Sequence, residues 1–204
     1  LQLRASLSLL KDGALMRLNI IAGLRSMCYQ VYNTFLPLYM ADELGFDSRA
    51  IGIYLALMFS VAIVVTPLMG YLSDRLGRKA MLLPTLVGSC ILTLLLAFFG
   101  QGVALVFVLA LLGLFLRSDY SLVSAAVLDA VGDRRSGNPA LATTALGVVS
   151  FNTFIFSAIS PLIAGTLYKN WGMDAALYYA AALFALAALI LLNTPMARHP
   201  TPAS

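Results

Sequence analysis

The sequence predicts an all-α integral membrane protein, six transmembrane helices arranged as a three-plus-three inverted repeat. Three observations carry this: apolar excess, the placement of basic residues, and glycines recurring at a fixed offset. Of 204 residues, 61% are hydrophobic and 11% charged. A soluble domain carries roughly 25% charged and about 45–50% apolar residues. A chain of about 200 residues still exposes about 30% of its unfolded surface after folding, so the apolar excess must face lipid. Soluble enzymes, nucleic-acid binders and disordered tails are excluded at once. The net charge of +4 marks membrane topology rather than polyanion binding, because the basic residues sit in short loops between apolar blocks.

Each pass needs about 20 apolar residues at about 1.5 Å rise per residue. Ala80–Leu116 has 37 residues (116 − 79) without a charge, about 55 Å and too long for one span. Gly100-Gln101-Gly102 supplies the break. The same arithmetic places helices over about Ala14–Met40, Ser48–Leu72, Ala80–Phe99, Val103–Val131, Asn138–Tyr168 (bent near Pro161) and Ala175–Leu192. Domain limits follow: 1–13 a cytoplasmic linker with an amphipathic stripe of Leu3, Leu7 and Leu10, 14–193 the six-helix domain, 194–204 a cytoplasmic tail. Cys28 and Cys90 lie inside apolar blocks and imply no disulfide.

Charge bias orients the bundle. Arg4, Lys11, Arg17, Arg75, Arg78, Lys79, Arg134, Arg135 and Arg198 lie on the side of both termini. The opposite loops hold Arg49 and Lys169 beside Asp42, Glu43, Asp47 and Asp174. Nine against two puts both termini in the cytoplasm, as an even number of passes requires.

Between the second and third helices runs Gly70-Tyr71-Leu72-Ser73-Asp74-Arg75-Leu76-Gly77-Arg78-Lys79. Gly70 suits a close approach at the helix end, Gly77 ends the turn, and Arg78 and Lys79 hold the loop at the inner surface. Asp74 is the odd acid in a basic loop, and pairing with Arg75 or Arg78 in a solvated turn would account for it. The whole string resembles the G-x-L-x-D-R-x-G-R-K signature of the major facilitator superfamily, matching at Gly70, Leu72, Asp74, Arg75, Gly77, Arg78 and Lys79. The resemblance implies a secondary transporter built of two six-helix halves. It also implies a conformational latch, in which the loop's Asp docks on the opposite half and holds one face closed. Gly23-Leu24-Arg25-Ser26-Met27 with Phe35-Leu36-Pro37-Leu38-Tyr39 resembles the seventh helix of drug- and metabolite-type members, and residues 1–12 resemble the end of a central linker. The chain is therefore expected to be the C-terminal half, with an N-terminal six-helix half as its partner. The antiporter pattern G-x-x-x-G-P-x-x-G-G is met only by Ser157-x-x-x-Pro161 running to Ala164-Gly165, so antiport does not follow.

An internal echo supports the repeat. Gly70 and Gly165 are 95 apart (165 − 70), as are Gly77 and Gly172 (172 − 77). Arg25-Ser26 recurs as Arg117-Ser118 at an offset of 92 (117 − 25). The second helix ends inside and the fifth outside, so the units are inverted, the construction of such a half.

A charge at mid-membrane costs at least about 2.5–3.5 kcal/mol on insertion scales and marks a site. Arg25 and Arg117 both fall near the midplane, and the resemblance implies that their helices line the central cavity. Gly113, Arg117, Tyr120, Ser121 and Ser124 share one small polar face, while Asp119 points about 200° away among apolar neighbours. Asp119 is either a proton carrier, its pKa raised by burial, or the fixed partner of Arg25. Tyr29 and Asn33 on the face of Arg25, and Asn152 in the fifth helix, complete the solute candidates; interhelical hydrogen bonds would equally explain them. Asp129 is expected with Asp133, Arg134 and Arg135 at the inner interface.

The function expected is movement of a small solute, anionic or amphipathic, by alternating access with proton coupling in a bacterial inner membrane. The alternative is a non-transporting sensor or assembly subunit on the same scaffold. No metal spacing, phosphate cradle or nucleophile–base pattern occurs in the sequence, so no enzyme, cofactor or nucleic-acid partner is expected. Reporters fused after Ser204 and within residues 42–47 are expected on opposite faces of the membrane, checked by side-specific labelling; both on one face would refute the six-pass count.

Overall fold

The computed structural model describes residues 13–99, 102–132 and 139–194, with side chains at 117–119 and 139–141 outside that description. The amphipathic segment 1–10, Arg134 and Arg135 and the tail beyond Thr194 therefore lie outside the described residues. Among the described residues every regular element is a helix: α1 Gly13–Asp42, α2 Ser48–Leu76, α3 Arg78–Phe99, α4 Gly102–Gly132 and α5 Pro139–Leu192. At 54 residues α5 would be about 81 Å long, well beyond one bilayer. Helical dihedrals fail inside it at Gly172 (φ 79°, ψ −173°). α5 is thus two helices, a first limb over 139–171 and a second over 173–192. Six helical segments result. Pro161 lies within the first limb, and the break comes eleven residues later (172 − 161).

The junctions are tighter than hydropathy suggests. α2 runs four residues past its expected end at Leu72, to Leu76, and α3 begins at Arg78. Ser73, Asp74 and Arg75 are polar yet helix-compatible, so the helix continues as it emerges toward the headgroups. Gly77 alone separates the two helices, with φ 95° and ψ 144°, a backbone region that essentially only glycine enters. Its amide donates to Ser73 O at 3.0 Å and closes the last turn of α2. Gly172 plays the same part between the two limbs of α5, 95 positions on (172 − 77). Of the two glycine pairs in the sequence, Gly77 and Gly172 are paired joints of the fold. At the start of α2, Asp47 caps the helix by accepting from the Ala50 amide at 3.0 Å.

Packing follows the inverted repeat. α1 lies along the first limb of α5, joined by Asn152 Nδ2 to Asn19 O at 3.0 Å and Ser160 Oγ to Met27 O at 2.8 Å. α2 lies along α4, where Gly113 lets the backbones meet at Met58. α3 packs on the second limb, where Cys90 Sγ donates to Ala181 O at 3.4 Å. A two-fold exchanging helices one to three with four to six maps the first pairing onto the second and the third onto itself.

α2, α3, α4 and α5 are long and apolar enough to cross a membrane. α1 is the most polar helix and also the most enclosed, burying Asn19, Arg25 and Tyr32 along with Leu18, Ile21, Cys28 and Leu36. Its neighbours stand between it and lipid. α2 is the converse. It buries Met58, Ala62 and Ser73 and exposes Ile53, Ile63, Val64 and Leu68.

A Cβ on Gly113 would stand 2.1 Å from the Met58 carbonyl oxygen, a backbone atom that cannot turn aside. Gly113→Ala is expected to destabilise by about 1–3 kcal/mol. Gly147→Ala, with nothing within 4 Å of its Cβ position, should be neutral or stabilise by about 0.5–1 kcal/mol. Thermal midpoints of the purified variants check the contrast.

Candidate solute cavity and cytoplasmic latch

α1, α2, α4 and the first limb of α5 converge on a cavity of about 690 Å³, within the range of small-molecule sites. α1 contributes Arg25, Ser26, Tyr29 and Gln30; α2 contributes Phe59, Ala62, Ile63 and Thr66. α4 supplies Leu116, Tyr120 and Ser121, and α5 supplies Ser150, Thr153, Phe154 and Ser157. These positions repeat at helical spacing, so each helix turns one face to the common space, largely apolar on α2 and most polar on α1. Among these lining residues, Arg25 carries the one formal charge.

Arg25 is only 6% exposed. Its Nη1 donates to Leu116 O at 3.4 Å, and its guanidinium carbon stands 5.5 Å from the centre of the Tyr120 ring. Two elements of α4 thus hold it, a carbonyl and an aromatic face, which is cation–π geometry. The surrounding hydroxyls are tied to the walls. Ser26 Oγ donates to Thr153 O at 3.1 Å, and Thr66 Oγ1 to Ala62 O at 2.7 Å. Thr153 Oγ1 donates to Ser150 O at 2.8 Å, and Ser157 Oγ to Gln30 Oε1 at 3.3 Å.

The candidates separate on this geometry. Arg25 and Tyr29 line the cavity. Asn33 is exposed and does not line it. Asn152 reaches across to Asn19 and sits beside Gly23, binding α5 to α1 rather than facing the space. Arg117 and Asp119 lie on α4, their side chains outside the described ones. Tyr32, on the same helical face as Arg25 in sequence, is buried instead against the hydroxyl of Thr93. Tyr120 as the partner of Arg25, and Phe59 and Phe154 as aromatic walls, were not singled out from sequence. The Arg25–Arg117 echo could have located Tyr120, since it pairs α1 with the turn of α4 that carries this tyrosine.

At the opposite end of α2, the loop signature folds around Arg78. Its Nη2 meets Asp74 Oδ1 at 2.6 Å, its Nε meets Asp129 Oδ2 at 2.8 Å, and its Nη1 donates to Ser73 Oγ. One guanidinium therefore ties the ends of α2, α3 and α4. Asp129 belongs to this knot, because α4 is helical through Gly132 and carries it over the start of α3; residues 133–135, expected beside it, lie outside the described residues. Asp74 remains 62% exposed. Arg75 lies over the Tyr71 ring at 4.7 Å. Lys79 donates to Leu192 O at 2.8 Å and Thr194 O at 2.9 Å, and Arg17 donates to Asn193 O. These cations satisfy carbonyls at the negative end of the last helix. Gly70 departs from expectation: among the described residues nothing lies within 4 Å of its Cβ position, so no close approach among them depends on it.

The sequence profile of the Major Facilitator Superfamily matches residues 18–204. The chain belongs to the major facilitator superfamily. Its relatives include the multidrug resistance protein MdtG of Proteus mirabilis, 31% identical over 163 residues, which are 78% of this chain and 39% of that protein. MdtG of Yersinia enterocolitica is 33% identical over 168 residues, 78% of this chain and 38% of that protein. The chain thus spans about two-fifths of the length of these relatives. Among solved structures, the POT family transporter PepTSo superposes with a TM-score of 0.76 at 20% identity, covering 94% of this chain and 39% of that one. The chain has the six-helix fold of part of such a molecule.

Because Arg78 is largely sheltered and Asp74 is not, the two carboxylates should differ in weight. A double-mutant cycle between Arg78→Gln and Asp129→Asn is expected to give a coupling of about 1–3 kcal/mol. The cycle with Asp74→Asn should give under about 1 kcal/mol. Detergent-driven unfolding of the purified protein measures both.

Proposed function

We propose that the chain forms the C-terminal half of a proton-coupled secondary transporter that moves a small solute, anionic or amphipathic, across a bacterial inner membrane by alternating access. Both termini of the half face the cytoplasm in this reading, and an N-terminal six-helix half closes the cavity from the other side. The carrying observation is the cavity itself, walled by four helices and holding a buried arginine at mid-helix. A sensor or assembly scaffold has no use for such a volume with a charge inside it. The multidrug names of the MdtG relatives favour amphipathic solutes moved outward.

In this mechanism the exposed carboxylate of Asp74 is the part of the latch that the other half reaches, while Arg78 holds it in place from within. Asp119, on the turn of α4 beside Tyr120, carries the proton. A single cysteine at Ser157 in the full-length protein reports access to the cavity. A membrane-impermeant maleimide is expected to label it from either face, in right-side-out and in inverted vesicles. An imposed pH gradient should shift the ratio of the two rates, and Asp119→Asn should remove that shift. Labelling from one face alone refutes alternating access. A persistent shift in Asp119→Asn moves the proton site elsewhere.

A further inference from the structure

We infer that the end of the last helix carries a site for one anionic phospholipid, its phosphate at Arg17 and Lys79 and an acyl chain along the leucines beside them. This stands on the membrane fold alone and goes beyond the transport reading. The start of α1, the start of α3 and the close of the second limb of α5 meet there. Arg17 donates to Asn193 O, and Lys79 Nζ donates to Leu192 O at 2.8 Å and Thr194 O at 2.9 Å. The accepting carbonyls belong to successive residues, whose Cα atoms lie about 3.8 Å apart, so both cations share one helical turn. That helix end offers about half a negative charge against two full positive ones. Among the described residues the ion pairs fall on Arg78 and leave this excess in place. The adjoining segments add to it in sequence, with Arg4, Lys11 and Arg198 against Asp12.

The surface beside the pair tells a lipid from a free anion. Leu186, Leu189 and Leu192 recur at helical spacing on the second limb, and all three are exposed. Met16 is exposed next to Arg17 on α1. The leucine stripe runs into the turn that holds the cations, so apolar length and charge follow one another as they do in a lipid. No residue of α3 or of the second limb lines the solute cavity, so this surface is separate from it. A guanidinium has five N–H donors and an ammonium three, which lets each serve a carbonyl and a phosphate oxygen together. An anionic headgroup relieves the positive excess in full. A zwitterionic one brings its own ammonium into the same field and gains less.

The test is native mass spectrometry of the purified full-length protein, titrated with three probes. These are palmitoyl-oleoyl phosphatidylglycerol, the matching phosphatidylcholine, and glycerophosphoglycerol, which is the anionic headgroup without chains. A basic side chain beside an anionic headgroup is worth about fivefold in affinity, so two give phosphatidylglycerol a preference of about twentyfold over phosphatidylcholine. Arg17→Gln should cut its binding about fivefold, and Arg17→Lys should keep it. Arg17→Gln with Lys79→Gln should bring the two lipids level. Arg75→Gln, which removes an exposed cation on α2, should change nothing. If the double variant does not fold, the Arg17 pair and the wild-type ranking still decide. Equal binding of the two lipids, full retention in Arg17→Gln, or an equal loss in Arg75→Gln overturns the site. Glycerophosphoglycerol binding as tightly as the intact lipid makes it a soluble-anion site and overturns the lipid.

Discussion

Burying Arg25 is the constraint around which this half is arranged. A guanidinium at mid-helix cannot face hydrocarbon, and α1 also buries Asn19 and Tyr32. The helix with the most polar groups therefore sits innermost, with α4 and the first limb of α5 wrapped against it and apolar α2 left to expose its branched side chains. The hydrogen bonds that seat α1 follow from the same need. Asn152 answers the backbone at Asn19, Ser160 answers Met27, and Leu116 answers Arg25 itself. Fold and cavity have one origin, since the space beside a buried charge is what the surrounding helices leave open.

The end of the bundle at the α2–α3 junction is organised by charge of the opposite placement. Arg78 and Lys79 are adjacent in sequence, yet one gathers α2 and α4 to the start of α3 while the other reaches the end of the last helix. Helix ends carry unmet carbonyls and partial charge, so two cations at one junction hold four elements in register. The signature loop is thus a structural clamp within the half. Its exposed Asp74 is the one member with a carboxylate mostly turned to the outside.

Much of this was legible in the sequence. Apolar runs, broken by glycine and flanked by basic residues, gave six segments, and the 95-residue offset of Gly77 and Gly172 located the two joints. Arg25 stood out because a charge inside an apolar run demands a reason. Hydropathy misplaced the end of α2 because it treats Ser73–Arg75 as loop, whereas a helix can carry polar residues once it leaves the hydrocarbon. The sequence set Tyr120 on a polar face with Arg117 but not beside Arg25, since a contact between two helices is invisible until their packing is known. Asn33 and Asn152 show the same limit from the other side. Amides in a membrane helix signal a hydrogen bond, but only the packing tells whether a helix or the cavity receives it.

The single-residue joints have a mechanical meaning. With planar peptide bonds on either side, one glycine offers two soft torsions and no length of slack. The α2–α3 pair and the two limbs of α5 can therefore pivot at a point, yet neither can slide or separate at that end. Each pair works as a stiff lever on a one-residue fulcrum, and the two fulcra lie at opposite surfaces of the membrane.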